Sequence, residues 1–348
     1  MLYPVAAYNV RQLFTKMERE IRPYQLGDYD RLKAWLSELG RFYDGHESGR
    51  FVDQLVNKEH EDELGYFTTA KEVYIAAEGG RELGSIVLNY KRGASVKIGP
   101  FVVDPEARGR GIGTQLLSFA EQRAREKRRR KIYATTSHLN EPINRVFSKC
   151  GFQVEAQFPD QYRRGSIELI WGKLLSERGT EHGVAEASTI VDNDPANLEI
   201  ERYSPRYYSR LRELMLTKLP GWHDEIDDEF VLRTIIGHLQ GVDFEKKGKV
   251  ILLATGGEKV YGCSVIVPKR GGPAKLYPVS GSENAQRMLI EESKEVARQI
   301  GSHKVYTFSP ESDLQQQEIF GSLDFTQRGV IIEPYKAGYN LVCFDSFV

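Results

Sequence analysis

Residues Asp104 to Gly113 read Asp-Pro-Glu-Ala-Arg-Gly-Arg-Gly-Ile-Gly, and their chemistry is that of an anion cradle. Glycines at 109, 111 and 113 let the backbone turn tightly and approach a ligand without Cβ clashes. Thr114 to Arg129 follows, with Leu116, Leu117, Ala120 and Ala124 on one face, a spacing that predicts a helix. The first amides of such a helix have no intrahelical partner, and its dipole favours negative charge there. Arg108 and Arg110 add cationic donors suited to phosphate oxygens. A Walker A loop would need Gly-Lys-Ser/Thr, and a dinucleotide fingerprint would need Gly-x-Gly-x-x-Gly; neither is met. A pyrophosphate is the expected occupant, with an exposed basic helix cap as the plainer alternative.

The elements around the cradle are readable by period. Glu20 to Tyr24 opens as a strand, and Tyr29 to Leu39 carries Leu32, Trp35, Leu36 and Leu39 at helical spacing. Val73 to Ala77 and Leu83 to Tyr90 read as strands joined by Gly79-Gly80. Val96 to Val103 is a strand in which Gly99-Pro100 predicts a bulge or bend. Lys131 to Thr136 is a strand, Glu141 to Lys149 a helix, and Phe152 to Phe158 with Ser166 to Trp171 a closing strand pair. This order predicts an α/β chain built on a mixed sheet, not a doubly wound Rossmann fold.

The pattern then repeats. Glu20-Ile21 and Glu199-Ile200 match at a shift of 179, and Lys91-Arg92-Gly93 and Lys269-Arg270-Gly271 at 178. From residue 99 the best match lies at 173, pairing Gly99 with Gly272, Pro100 with Pro273, Pro105 with Pro278 and Lys131 with Lys304. We therefore expect a tandem duplication. Residues 1–19 form an extension, 20–175 a first domain, 176–197 a polar linker and 198–348 a second domain. Within the extension, Val10, Leu13 and Phe14 suggest a short helix.

The segment Val102 to Phe152 resembles the GNAT superfamily of acyl-CoA-dependent N-acyltransferases. Its signature Arg/Gln-x-x-Gly-x-Gly/Ala is met by Arg108 to Gly113, and a second one is nearly met by Asn140, Ile143, Phe147, Gly151 and Phe152. The resemblance implies acetyl-CoA, or another acyl-CoA, held by Arg108, Gly109, Arg110, Gly111, Ile112, Gly113 and Thr114. It implies a strand around Phe101, Val102 and Val103 that splays from its neighbour to receive the pantetheine arm, with Asn140 and Phe147 nearby. The acceptor would be a small-molecule, peptide or protein amine attacking the thioester directly, so Cys150 is expected to pack rather than react.

Two departures concern the chemistry. The family's acidic Tyr falls on Phe147, and Ser95 and Lys97 stand where many members carry a Glu base. Replacement candidates are Ser137, His138, Tyr162 and Asp160, with Tyr43, Asp44 and His46 as others. A CoA-responsive regulatory protein without catalysis is therefore the alternative to an N-acyltransferase.

At the 173 shift, Gly281 to Gln286 replaces the cradle, with Glu283 placed to repel phosphate. The second copy is expected to lack CoA and to serve either as a platform or as a wall of the acceptor cleft. The run Arg123, Arg125, Lys127, Arg128, Arg129, Arg130 and Lys131 suits a helix C-terminus. An enzyme acetylating aminoacyl-tRNA is the weaker reading of that run, because Lys plus Arg (48) balances Asp plus Glu (49). The acidic run Glu59-His60-Glu61-Asp62-Glu63 is a solvated loop or an attractor for a cationic amine. No apolar stretch approaches the ~18 residues of a membrane span, and Met1 to Val5 lacks a basic leader. Three widely spaced cysteines carry no paired metal-ligand pattern. The expectation is a cytoplasmic protein with no metal.

Overall fold

The computed structural model describes residues 19–43, 50–56, 66–177, 197–218, 226–242, 248–269 and 272–348. The N-terminal helix suggested by Val10, Leu13 and Phe14 lies outside the described residues, as do Asp44, His46, the acidic run 59–63 and most of the expected linker.

Two halves share one sheet. The first contains β1 (Arg19–Pro23), α1 (Tyr29–Ser37), α2 (Arg50–Val56), β2 (Thr68–Glu78), β3 (Arg81–Lys91), β4 (Ser95–Val103) and α3 (Ile112–Glu126), then β5 (Lys131–Ser137), α4 (Glu141–Lys149), β6 (Gln153–Pro159) and β7 (Ile167–Leu174). The second contains β8 (Glu199–Arg202), α5 (Tyr208–Lys218), α6 (Asp228–Leu239), β9 (Val250–Gly256), β10 (Lys259–Pro268), β11 (Pro273–Gly281) and α7 (Glu283–Gln299), then β12 (Lys304–Pro310), α8 (Leu314–Ser322), β13 (Thr326–Ile331) and β14 (Leu341–Phe347). The sheet has 14 strands in the order β1-β2-β3-β4-β5-β7-β6-β13-β14-β12-β11-β10-β9-β8. Read inward from either edge, each half follows the same order. The mixed α/β sheet expected from the sequence is present.

Strand alternation divides the core of the first half. Ile86, Leu88, Val96, Ile98 and Ile132 pack under Leu116, Leu117 and Ala120 of α3. Val87, Ile75 and Val102 turn to the other face, beneath Leu32, Trp35 and Leu36 of α1 and Val52 and Leu55 of α2. The periodic apolar stripe reaches Ala124, but α3 ends at Glu126, earlier than the expected Arg129, because Arg128 turns left-handed at φ 53°.

The halves meet where β6 and β13 pair antiparallel, with Ala156 opposite Gly329. A Cβ on Gly329 would lie 2.2 Å from the carbonyl oxygen of Glu155. Two buried lysines stitch this joint from equivalent places. Lys131, the first residue of β5, donates to Glu155 at 2.7 Å and also to the carbonyl of Ile332 across the joint. Lys304, the first residue of β12, pairs with Asp345 at 2.5 Å and donates to the carbonyl of Pro159 at 2.6 Å.

Strand registers correct the expected match of the halves. Lys97 lies opposite Tyr133 in the parallel β4–β5 pair, and Lys275 opposite Tyr306 in β11–β12. Gly84 faces Val103 as Gly262 faces Gly281. Through β4 the shift is therefore still 178, and the pairing of Gly99-Pro100 with Gly272-Pro273 is a chance match of common residues. Pro278 belongs inside β11 and is no counterpart of Pro105. In the first half residues 104–111 separate strand from helix, whereas in the second only Ser282 lies between Gly281 and Glu283. The second half thus has no segment in the place of the cradle.

The joint predicts two opposite glycine effects. Gly329→Ala should lower the unfolding free energy in urea by about 1–3 kcal/mol, because no side chain fits between β6 and β13. Gly321→Ala, on the exposed face of α8 with open space at its Cβ, should raise it by up to about 1 kcal/mol.

Candidate active site

The ladder between β4 and β5 runs from Ser95 opposite Lys131 to Ile98 opposite Ala134 and then stops. At the same point β4 carries one residue more than β3, since Leu88 faces Ile98 while Ile86 faces Phe101. This is the bulge expected at Gly99-Pro100. Beyond it β4 continues along β3 and β5 continues along β7, so the two strands part. A cavity of about 450 Å³ opens in the gap, lined by Gly99, Pro100 and Phe101 from β4 and Thr135 and Thr136 from β5. Leu39, Tyr43 and Leu55 close it from the α1–α2 side, and Asn140, Ile143 and Phe147 from α4.

The cradle lies at the far end of β4. Gly109 and Gly111 have φ of 79° and 81°, and Gly111 is the left-handed cap of α3. The helix makes its first backbone bond from Gln115 to Gly111, so the preceding amides at the N-terminus point outward without an intrahelical partner. Residues 108–111 are exposed and no atom lies within 4 Å of a Cβ built on Gly109 or Gly111. Room, amides and a positive dipole together fit a pyrophosphate. Arg110 pairs with Glu78 beside the loop, while Arg108 donates to the carbonyl of Val103 at 3.3 Å. Asp104 anchors the loop to α1, accepting from Trp35 at 2.9 Å and Arg31 at 2.5 Å. Burial opposes ionisation of Asp104, but the donated hydrogen bonds and the nearby arginines outweigh it and hold its pKa low.

Of the candidates for proton transfer among the described residues, Tyr43 and Tyr162 reach the cavity. Tyr162 lines it, its ring edge-on to Tyr43 at 5.9 Å. Ser137 is fully buried, its backbone N–H donating to the Tyr43 hydroxyl at 3.1 Å and its Oγ accepting from Leu139. His138 accepts from the N–H of Ile167 through Nδ1 at 2.8 Å, which closes the β5–β7 edge. Asp160 accepts from Gly165 in the β6–β7 turn, and its carbonyl meets His303 of the second half at 2.7 Å. These three residues shape turns rather than the cavity. Phe147 packs in the core against Trp171 at 5.9 Å, and Cys150, raised by burial, stays a thiol.

Sequence reasoning missed Glu168. It sits on β7 opposite Ser137, is 2% exposed, and lines the cavity. Burial pushes its carboxyl up to about 8, against a hydrogen bond with Thr135 and the charge of Lys97. Its signal was a lone carboxylate between Ile167 and Leu169 in a central strand. Lys97 faces the same cavity from β4, its pKa lowered by burial. Tyr43 and Tyr162 are both raised by burial and, secondly, by the charge of Glu168, so each phenol keeps its proton.

The basic run at the end of α3 is largely spent on internal partners. Arg123 pairs with Glu126 at 2.6 Å, Lys127 with Glu72 at 2.5 Å and Arg130 with Glu333 at 3.0 Å. Arg125 donates to the carbonyl of Leu175, and Lys131 is buried in the joint. These cations do not form an open basic face of the kind that tracks a nucleic-acid backbone. No described helix is long and apolar enough to cross a membrane.

Comparison with known proteins places the Acetyltransferase (GNAT) family profile on residues 29–152. Solved structures similar to the chain include a Desulfovibrio desulfuricans protein assigned to the GNAT family, 20% identical with a TM-score of 0.39, covering 46% of this chain and 100% of its own. Another is a Vibrio cholerae spermidine N-acetyltransferase in complex with CoA and spermine, 17% identical with a TM-score of 0.39, covering 45% of this chain and 95% of its own. No curated protein matches the chain.

Two measurements probe the site. Gly111→Glu, which forces a charged side chain onto a left-handed backbone, should abolish acetyl-CoA binding in calorimetry, while Asn284→Ala should leave it unchanged; equal effects would refute the asymmetry of the halves. Because Glu168 has a raised pKa, its contribution to stability is complete below the ordinary carboxylate range and is lost as pH climbs through about 8. Glu168→Gln should therefore melt higher than the parent chain at pH 9, with the advantage shrinking towards pH 4.

Proposed function

Because residues 29–152 are a GNAT acetyltransferase domain, we propose that the chain is an N-acyltransferase that moves an acetyl group from acetyl-CoA to a primary amine in the β4–β5 gap. The observation that carries this reading is Glu168, a buried carboxyl facing a cavity that opens where the two strands part. It answers the absence of a carboxylate from β4, which otherwise favours a CoA-responsive protein without catalysis. Acetyl-CoA is the family's donor, and when bound it supplies an activated acyl thioester.

The residues divide the work. The amides of Gly111, Ile112, Gly113 and Thr114 receive the pyrophosphate, with Arg108, Gly109 and Arg110 completing the loop. The β5-facing backbone of Phe101, Val102 and Val103, left without a ladder partner, lies ready to bond an extended pantetheine arm as a further strand would. An amide of this edge donates to the acyl carbonyl oxygen, where negative charge develops as the amine attacks. Glu168, ionised above about 8, accepts the proton that the amine must lose for its lone pair to form the new C–N bond. The C–S bond breaks and its electron pair leaves with sulfur. Tyr162 and Tyr43 remain neutral donors, suited to hydrogen-bonding a departing thiolate rather than to surrendering a proton. Asn140 and Phe147 wall the arm on the α4 side.

We read the two halves as a tandem duplication, supported by their identical strand order and by the paired lysines Lys131 and Lys304. The domains are then 20–175 and 198–348. The second half, lacking the cradle, serves the acceptor site, because Lys269 lines the cavity. The protein would act in the cytoplasm.

Glu168→Gln should lower kcat by about 100-fold or more, measured as thiol release from acetyl-CoA over a panel of amines. In the parent chain kcat/KM should rise with pH through an apparent pKa near 8, and the variant should lose that dependence. Full activity in the variant would overturn the assignment of Glu168.

A further inference from the structure

The transfer proposed above leaves sulfur in need of a proton. Breaking the C–S bond places the electron pair there, and a thiol holds its proton with an ordinary pKa of about 8.5. Tyr43 and Tyr162 are poor sources, since burial and then the charge of Glu168 raise both phenols above their usual range. Proton transfer is most efficient between groups of similar affinity. Lys97 meets that condition: it lines the cavity, and burial lowers its ammonium from the usual lysine range towards that of a thiol.

Strand registers put Lys97 and Glu168 on one face of the sheet, on opposite flanks of the gap. Lys97 lies opposite Tyr133 in the β4–β5 pair, one residue before Ile98, where that ladder ends. Tyr133 and Thr135 share a face of β5, Thr135 lies opposite Ile170, and Ile170 shares its face with Glu168. Oε1 of Glu168 is buried and meets no hydrogen-bond partner among the described residues, so part of the carboxyl is open to a donor in the cavity. Lys71 of β2, Lys91 of β3, Tyr43, Tyr162 and Lys269 also line this space, and Tyr133 is the neighbour across the ladder. Among these groups Glu168 is the one whose charge acts on Lys97, raising its proton affinity, and Lys97 in turn lowers that of Glu168. Their mutual attraction favours carboxylate and ammonium over a neutral pair.

Resting on the acyltransferase reading above, we propose that Lys97 is a second catalytic residue, the acid that protonates the departing thiolate, and that Glu168 restores it. The amine's proton passes to the Glu168 carboxylate as the C–N bond forms. The C–S bond breaks with its electron pair on sulfur, and a proton from the Lys97 ammonium forms the S–H bond. The chain is left with a carboxylic acid and a neutral lysine. One proton transfer from Glu168 to Lys97 regenerates the charged pair, so a single acid–base pair serves both bond changes.

The first measurement needs no CoA. Competitive labelling with acetic anhydride across pH, read at Lys97 by peptide mass spectrometry, should place its proton affinity below the ordinary lysine range in the full chain. In Glu168→Gln it should fall by about one further pH unit, because the attracting carboxylate is gone. The second measurement follows kcat for thiol release from acetyl-CoA over the amine panel. In the parent chain kcat should fall at high pH as Lys97 loses its proton. Lys97→Met and Lys97→Arg should each lower kcat about 100-fold, abolish the alkaline fall and leave acetyl-CoA affinity in calorimetry unchanged. Lys97→Arg keeps the charge without a proton that a thiolate can take, and so separates proton donation from charge and folding. Retained activity in Lys97→Arg, an unshifted Lys97 in Glu168→Gln, or an unchanged alkaline limb in the variants would overturn the proposal. A parent chain that acetylates no amine in the panel sinks the acyltransferase reading itself, whereas an active parent with an equally active Lys97→Arg sinks the role of Lys97 alone.

Discussion

The early end of the β4–β5 ladder is the constraint from which the rest of the first half follows. Four paired positions hold the strands together, from Ser95 to Ile98; past them, backbone groups that a sheet would normally satisfy face a cavity instead. Open backbone inside a protein is costly unless a partner arrives. The surroundings keep the gap from collapsing: β4 is gripped on its other side by β3 as far as Gly84 opposite Val103, and β5 by β7 as far as Ser137 opposite Glu168. Asp104, bonded to Arg31 and Trp35, ties the end of β4 to α1. The site is an interruption held open by intact pairing on both flanks.

The second half has the same strand order but a different outcome. Its β11 also pairs with β12 over only a few positions, Pro273 to Lys275, yet it runs into α7 with Ser282 as the sole intervening residue. Ser282 caps that helix conventionally, accepting from the N–H of Ala285. A short capped turn leaves no exposed arc of amides for an anion. The halves therefore differ most in the length of this strand-to-helix connection, eight residues in the first and one in the second.

Much of this was legible from residue types, for reasons that differ by element. Strands and helices announced themselves because burial on a sheet face or a helix stripe imposes periods of two and 3.6, and Gly79-Gly80 marked its hairpin. The cradle was legible because only glycine and backbone amides suit its geometry. Glu168 was not, since its role depends on closure from elements distant in sequence: Tyr43 after α1, Tyr162 before β7, and Lys97 on β4. Ser137, His138 and Asp160 attracted notice as polar residues beyond strand ends. Such positions more often satisfy the backbone, and all three do. The difference in loop length was hidden by a repeated Gly-Pro, which register alone could disentangle.

The joint at Ala156 and Gly329 carries one more consequence. Two separate copies meeting edge to edge would form an isologous interface, in which any residue placed in one site is necessarily placed in the other. Here the meeting edges belong to one covalent chain, so that identity is lifted. Lys269 can approach the open cavity of the first half without an equivalent cavity having to exist for Lys91 in the second. A twofold body can thus have a front and a back, and each half is free to become what the other needs.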